Sequence, residues 1–321
     1  MERVSSMLAG RPSCLAEDHI DAPYPIDLPN TDYSYIRAMV RIAKVTSTIV
    51  TNNYTPKHAK RVSDLSTINQ LNDECMRELQ GIVETLPSHL RFSDETMPVL
   101  DTSREVQRIC LGITYYMTQI LIYRSALIYG SFFRTLAQAQ ETLGNRIDLR
   151  RDTDLGLSAA KSLIHLAHDG FFRRCPSFQQ DGNISFFIIS ACITLLFEVL
   201  DPAATPTHVT DVFHIVEKGL QCLDKIDYVG STTGRAISHD VMAIAQAAFL
   251  STEATTRLQS NLVDEFSWLG DTYDMNALEG FESLVPDAGL GMGVDMGAWM
   301  WNVMDESPAN AGFGGPGTTS S

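Results

Sequence analysis

The last part of the chain, from Asn261 to Ser321, contains no lysine or arginine but ten aspartates and glutamates. Because the whole chain has a formal net charge of −15 and this stretch holds −10 of it, residues 1–260 carry only −5. A run of like charges repels itself and has little apolar periodicity with which to build a core. We therefore expect a folded domain followed by an acidic, disordered tail over residues 256–321.

The tail also carries bulky side chains between its acids, including all three tryptophans of the chain. Acidic segments with such anchors are typical of regions that fold on a partner, although a solvated tail without a partner is the simpler interpretation. In a complex the anchors enter a hydrophobic groove while the acids steer the encounter with a basic surface. The candidate partner-binding residues are Phe266, Trp268, Leu269, Tyr273, Phe281, Leu284, Trp299, Met300 and Trp301.

The composition argues against several other classes of protein. Direct contact with nucleic acid is not expected, because the 24 lysines and arginines are outnumbered by 39 acids and lie scattered along the chain. No two of the six cysteines have the C-x2-C spacing of a zinc ribbon or finger. Without a signal peptide, they indicate a reducing intracellular compartment. The most apolar run, from Phe186 to Phe197, is too short to span a bilayer.

Helical periodicity begins at Tyr33, after a proline-rich segment of residues 1–32 that we expect to be extended. From there, apolar residues recur at three- and four-residue spacing, and no stretch shows the alternation of a strand. The pattern predicts an all-α domain of about seven helices over residues 33–255. The predicted helices span residues 33–55, 64–86, 101–142, a stretch that begins at about 152, and residues 183–200, 207–226 and 235–250.

The sequence contains no pattern that indicates catalysis or a cofactor. There is no nucleophile elbow, phosphate-binding glycine loop or H-E-x-x-H motif, so an enzyme is not expected. His165 and His168 share a helix face, but the sequence does not fix the further ligands that a metal needs, and core-edge histidines are more common. Arg124 lies within the apolar run Ile120–Leu127, where it either pairs with a buried acid or extends to water.

Three stretches, taken in order, resemble one family. The first runs from Glu2 to Pro12 and ends in Gly10-Arg11-Pro12, followed by the acids Asp18 and Asp21 and by Pro25. The second is Leu86-Pro-x-x-Leu90, and the third is Ile120–Leu127 with Tyr123-Arg124 at its centre and Ser125 where the family often has proline. Together they resemble the middle homology region of fungal zinc binuclear cluster transcription factors, over residues 1 to about 250.

The resemblance implies a nuclear regulator of RNA polymerase II transcription, whose helical domain restrains or senses and whose tail recruits a coactivator. It gives Gly10, Arg11, Pro12, Tyr123 and Arg124 structural roles. Zinc is expected only in the N-terminal cluster of a full-length family member, and none of its ligands occurs in this sequence, so DNA binding is not carried over. A dimer and a metabolite effector are both compatible with the family.

Two other interpretations stay open at this point. The chain is either part of such a regulator or a stand-alone helical interaction protein that titrates a full-length relative. Helical bundles also host small molecules between their helices, which makes a ligand-binding bundle the third candidate.

Overall fold

The computed structural model describes most of the predicted helical region. The described residues are 23, 25–27, 32–53, 65–94, 96–131, 133, 135–143, 147–180, 183–199, 205–226 and single positions between 236 and 246. The predicted tail, its nine anchor residues and the Gly10–Pro12 motif lie outside the described residues.

Over this part of the chain the structure has seven α-helices with described bounds, further helical positions between 236 and 246, and no strand, which confirms the all-α prediction. The helices are α1 (Ser34–Asn53), α2 (Leu65–Glu84), α3 (Thr102–Ser131), α4 (Leu136–Leu143), α5 (Leu149–Asp169), α6 (Asn183–Val199) and α7 (Pro206–Leu223). Short 3-10 turns occupy Ser88–Leu90 and Pro176–Gln180, and a turn of π-helix at Gly170–Arg174 continues α5. None of the described helices is both long and apolar enough to cross a bilayer.

Helix α3 is the centre of the domain. It packs most extensively against α5 and also contacts α1, α2 and α6. Ile109, Leu111, Ile113, Ile120 and Ile122 are almost fully buried although they lie on different sides of the helix. A helix that is apolar all round must be covered on every side, and this requirement fixes the positions of the surrounding helices.

Two buried polar contacts set the register of α1 and α2 against α3. The hydroxyl groups of Thr46 on α1 and Thr118 on α3 lie 2.8 Å apart. Asn72 on α2 donates from Nδ2 to the carbonyl oxygen of Ile122 at 3.3 Å. A buried polar group costs free energy unless it is paired, so a shifted register would leave these groups without partners.

The predicted helix over residues 101–142 is wrong in one respect, because the structure divides it into α3 and α4. The amide of Phe133 donates to the carbonyl of Gly130 in a turn, and the hydroxyl of Thr135 accepts from the amide of Gln138. Thr135 therefore caps a new helix instead of continuing the old one. Similarly, α5 begins at Leu149 rather than near residue 152, because the carboxylate of Asp148 caps it through the amide of Arg151.

The Leu86-Pro-x-x-Leu90 motif forms the corner after α2. Pro87 cannot extend the helix, and Leu86 and Leu90 point into the core on either side of it. The chain then places the ring of Phe92 against Tyr115 and Tyr116 of α3, with centroid distances of 5.1 and 5.5 Å. The motif thus directs the chain from the end of α2 onto the surface of the central helix.

Gly112 should be intolerant of a methyl group despite its helical position. A Cβ at Gly112 would overlap Cδ2 of Leu166 and would lie 2.8 Å from Cβ of Phe92. We expect Gly112→Ala to lower the free energy of unfolding by about 1–3 kcal/mol, as overpacking of a core does. Gly81→Ala is the matched control, because a Cβ there has no neighbour within 4 Å.

The control should gain about 0.5–1 kcal/mol from the higher helix propensity of alanine. Urea unfolding of both variants would measure the two effects. Equal stabilities of the two variants would contradict the tight packing of α3 against α5.

Candidate functional site

Of the nine candidate partner-binding residues and the five residues to which the resemblance gives structural roles, the structure describes Tyr123 and Arg124, which are neighbours on α3. Tyr123 is buried, and burial together with the negative charge of Asp152 raises its pKa to about 12. Arg124 is half-buried, and none of the ion pairs in the described part of the chain involves it. Tyr123 therefore belongs to the core, and the buried arginines of this domain lie elsewhere.

Arg174 is one of the buried arginines, and its contacts join three parts of the chain. Its guanidinium donates to Glu105 Oε1 at 3.2 Å, to Asp169 Oδ2 at 2.7 Å and to the carbonyl of Met97 at 2.7 Å. Its side chain and that of Glu105 are fully buried. Glu105 also accepts the amide of Leu100 at 2.9 Å, so the pair holds the loop before α3 in place.

The π-turn brings Arg174 to this position. Gly170 begins the turn where a Cβ would lie 2.9 Å from Cδ1 of Ile109, so α5 approaches α3 closely at this point. The wider turn inserts one residue and directs Arg174 inward, while Arg173 stays exposed and pairs with Asp169.

Arg108 completes a buried ionic cluster with Glu105, Asp169 and Arg174. It lies one turn after Glu105 on α3 and is 1% exposed. Its Nε lies 4.0 Å from Glu105 Oε2, too far for a hydrogen bond, and among the described residues neither Nε nor Nη1 has a hydrogen-bond partner. Burial and the neighbouring charge of Arg174 lower the pKa of Arg108. This cluster fixes the start of α3 to the end of α5, which is a structural role.

Sequence reasoning missed the cluster, because it treated Arg124 as the buried arginine. A signal was present: Glu105 and Arg108 are spaced i, i+3 within the apolar face that includes Val106 and Ile109. The partner, Arg174, comes from a π-turn that periodicity does not reveal.

Two surface depressions lie beside the N-terminal end of α1. One, of about 220 Å³, is lined by the polar residues Asp32, Tyr35, His89, Asp101, Ser103, Arg104 and Gln107. In it the ring of His89 contacts the carboxylate of Asp32 at 3.2 Å. Its two aspartates already cap helices, Asp32 at the start of α1 and Asp101 at the start of α3. Its charged side chains are therefore already engaged in contacts within the chain.

The second depression, which we name the α1–α2 cleft, differs from the first in its lining. Its volume is about 210 Å³, and it is lined by Ser34, Arg37, Ala38, Arg41, Ile82, Thr85, Leu86 and Pro87. Ala38, Ile82 and Leu86 are buried and form an apolar floor. Two arginines stand at its edge, and none of its described lining residues is an acid. The cleft is smaller than the usual pocket for a small molecule, of roughly 300–1,000 Å³, and has room for about one side chain.

One of these arginines already binds an extended segment of this chain. Arg37 donates from Nη1 and Nη2 to the two carboxylate oxygens of Asp27, each at 2.7 Å, and from Nη1 to the carbonyl of Pro25 at 3.0 Å. The hydrogen bonds from Arg37 lower the pKa of Asp27 to about 2. The other arginine, Arg41, contacts the hydroxyl of Thr85 at 3.5 Å and has no carboxylate partner among the described residues.

Comparison with known proteins does not assign this chain to a family. A scan against protein-family models, a search of curated proteins and a search of solved structures each return no match.

Loss of Arg174 should destabilise the domain strongly. In Arg174→Met the carboxylate of Glu105 stays buried without its partner, which costs about 3–5 kcal/mol in the free energy of unfolding. Arg104→Met is the matched control, since its pair with Asp101 is more than half exposed on both sides and such pairs contribute at most about 1 kcal/mol. Urea unfolding measures both. Equal losses in the two variants would contradict a structural role for the cluster.

Asp152 should make stability depend on pH. Burial raises its pKa to about 6 from a usual value of 3.8, so the folded state binds a proton more tightly than the unfolded state does. Stability from this group is then greatest below pH 4 and is lost as the pH rises through 6. Asp152→Asn removes this dependence and should gain about 1–3 kcal/mol relative to the wild type between pH 4 and pH 7.

Unfolding in urea at several pH values would measure this gain. Asp154→Asn, an exposed position on the same helix, controls for the loss of one charge. A difference between Asp152→Asn and the wild type that is constant from pH 4 to pH 7 would contradict the prediction.

Proposed function

We propose that this chain is the regulatory and activating part of a fungal-type transcription regulator that acts in the nucleus on RNA polymerase II transcription. In this proposal the helical domain restrains or senses, and the acidic tail recruits a coactivator. DNA binding is not a property of the residues in this chain.

The observation that carries the proposal is the division of the chain into two chemically different parts. An all-helical domain without strands in its described residues is joined to a segment that has ten acids, no lysine or arginine and all three tryptophans. Segments of this composition bind basic, grooved partners through aromatic anchors.

The motifs behind the family resemblance also support the proposal, because two of them have structural roles in the domain. Leu86-Pro-x-x-Leu90 makes the corner between α2 and α3. Tyr123 is buried on the central helix beside α5. These roles are compatible with a shared fold, while the function itself rests on the composition of the tail.

The proposal is tested by fusing residues 251–321 to a heterologous DNA-binding domain and measuring reporter output in yeast. We expect strong output, because the acids steer the tail to a coactivator and the aromatic anchors bind its groove. Replacing Phe266, Trp268 and Leu269 together by alanine should abolish the output without changing the charge. The matched control replaces Leu290, Met292 and Val294, which are not among the anchors, by alanine and should keep the output.

Activity that survives the first triple substitution would remove the assignment of those anchors. A silent fusion would remove the activating function altogether. It would favour the alternative of a stand-alone helical interaction module.

A further inference from the structure

The α1–α2 cleft has the chemistry to bind an acidic, aromatic peptide. Helix α1 contains Arg37, Arg41 and Lys44 and no acid over its whole length. The cleft beside it has a buried apolar floor, and the part of its lining that the structure describes contains no acid. A guanidinium binds a carboxylate through two parallel hydrogen bonds, and an adjacent apolar hollow accepts an aromatic ring.

The contact of Arg37 with Asp27 is an example of this recognition within the structure. The extended segment Pro25–Asp27 places a carboxylate on one arginine of the cleft and a carbonyl beside it. Arg41 lies one helical turn further along α1, on the same face. It is half-buried and has no carboxylate partner among the described residues, so the cleft still offers one guanidinium.

We propose that the occupant of the α1–α2 cleft is the segment Asp264–Leu269 of the same chain. This segment reads D-E-F-S-W-L, two acids followed by two aromatic residues and a leucine. No basic residue follows Arg257, so nothing in the tail opposes the charge of Arg41. Asp264 or Glu265 binds Arg41, and Phe266 or Trp268 enters the hollow above Ala38 and Leu86.

The length of the chain permits this contact. Seventeen residues, 247–263, lie between Gln246, the last described residue, and Asp264, and the eighteen steps from one to the other span at most about 60 Å. A domain of this size has a diameter of roughly 45 Å, from a radius of gyration of about 17 Å. An intramolecular segment also has an effective concentration of roughly millimolar, so a weak contact is enough to populate the bound state.

The contact between tail and cleft would regulate the activating tail, and this regulatory role rests on the proposed function. Phe266, Trp268 and Leu269 are the anchors expected to bind a coactivator, and in the cleft they are covered. The helical domain then restrains the tail by competing for it, and a coactivator must displace it from Arg41.

Tryptophan fluorescence tests the contact directly, because all three tryptophans lie in the tail. The full-length chain with Trp299→Phe and Trp301→Phe keeps Trp268 as its single tryptophan. We expect Trp268 to be less accessible to acrylamide than in the isolated 251–321 peptide carrying the same substitutions. Arg41→Glu should raise the quenching constant to that of the peptide, and high salt should raise it part of the way.

Arg150→Glu is the matched control. Arg150 is exposed on α5 and lines neither depression, and the substitution changes the net charge by the same amount. Reversing the tail charges with Asp264→Lys and Glu265→Lys in the Arg41→Glu background should restore protection of Trp268. Circular dichroism establishes that each variant keeps its helices.

Three results would overturn the proposal. The first is that Trp268 of the chain with Arg41 intact is as accessible to acrylamide as in the peptide. The second is that Arg150→Glu exposes Trp268 as much as Arg41→Glu does. The third is that Trp268 stays exposed in the variant with the reversed charges. The readout is independent of transcription. A silent tail fusion rejects the proposed function and leaves the fluorescence result standing, whereas an active fusion with an accessible Trp268 rejects the docking alone.

Discussion

The burial of α3 is the constraint on which the rest of the domain depends. Its thirty residues are apolar on nearly all sides, so no single partner helix can cover it. Helices α1, α2, α5 and α6 contact different faces, and Gly112 allows Leu166 of α5 to come close. The hydrophobic effect supplies the drive, and the buried polar contacts of Thr118 and Glu105 select one arrangement among those that would cover α3.

Much of this architecture follows from the sequence, because apolar periodicity is a local signal. It predicted α1, α2, α6 and α7 nearly as the structure has them, and Pro87 marked the end of α2. The local signals that it missed are capping interactions, as Thr135 and Asp148 show. A cap is signalled by one residue, whereas a helix is signalled by apolar residues over several turns. A prediction from periodicity therefore follows the apolar residues and passes over the cap.

The site was harder to predict, because its residues come together only in the folded chain. Arg41 and Leu86 are forty-five positions apart, and the cleft exists only once Pro87 has turned the chain beside α1. The acidic tail, by contrast, was evident from composition alone. The sequence thus predicted the acidic segment but not the basic surface that complements it. The absence of acids from α1 was the one local signal for that surface.

The π-turn at Gly170–Arg174 has a consequence for how this chain tolerates a change of local backbone geometry. A π-turn is an α-helix with one residue added, so a substitution that restored regular helical geometry there, without removing a residue, would push the extra residue into the next turn. Everything that follows would then rotate by about 100°. Arg174 would then leave the interior, and the loop at Met97 would lose its anchor. A change that makes the local backbone more regular would therefore disconnect two distant parts of the domain.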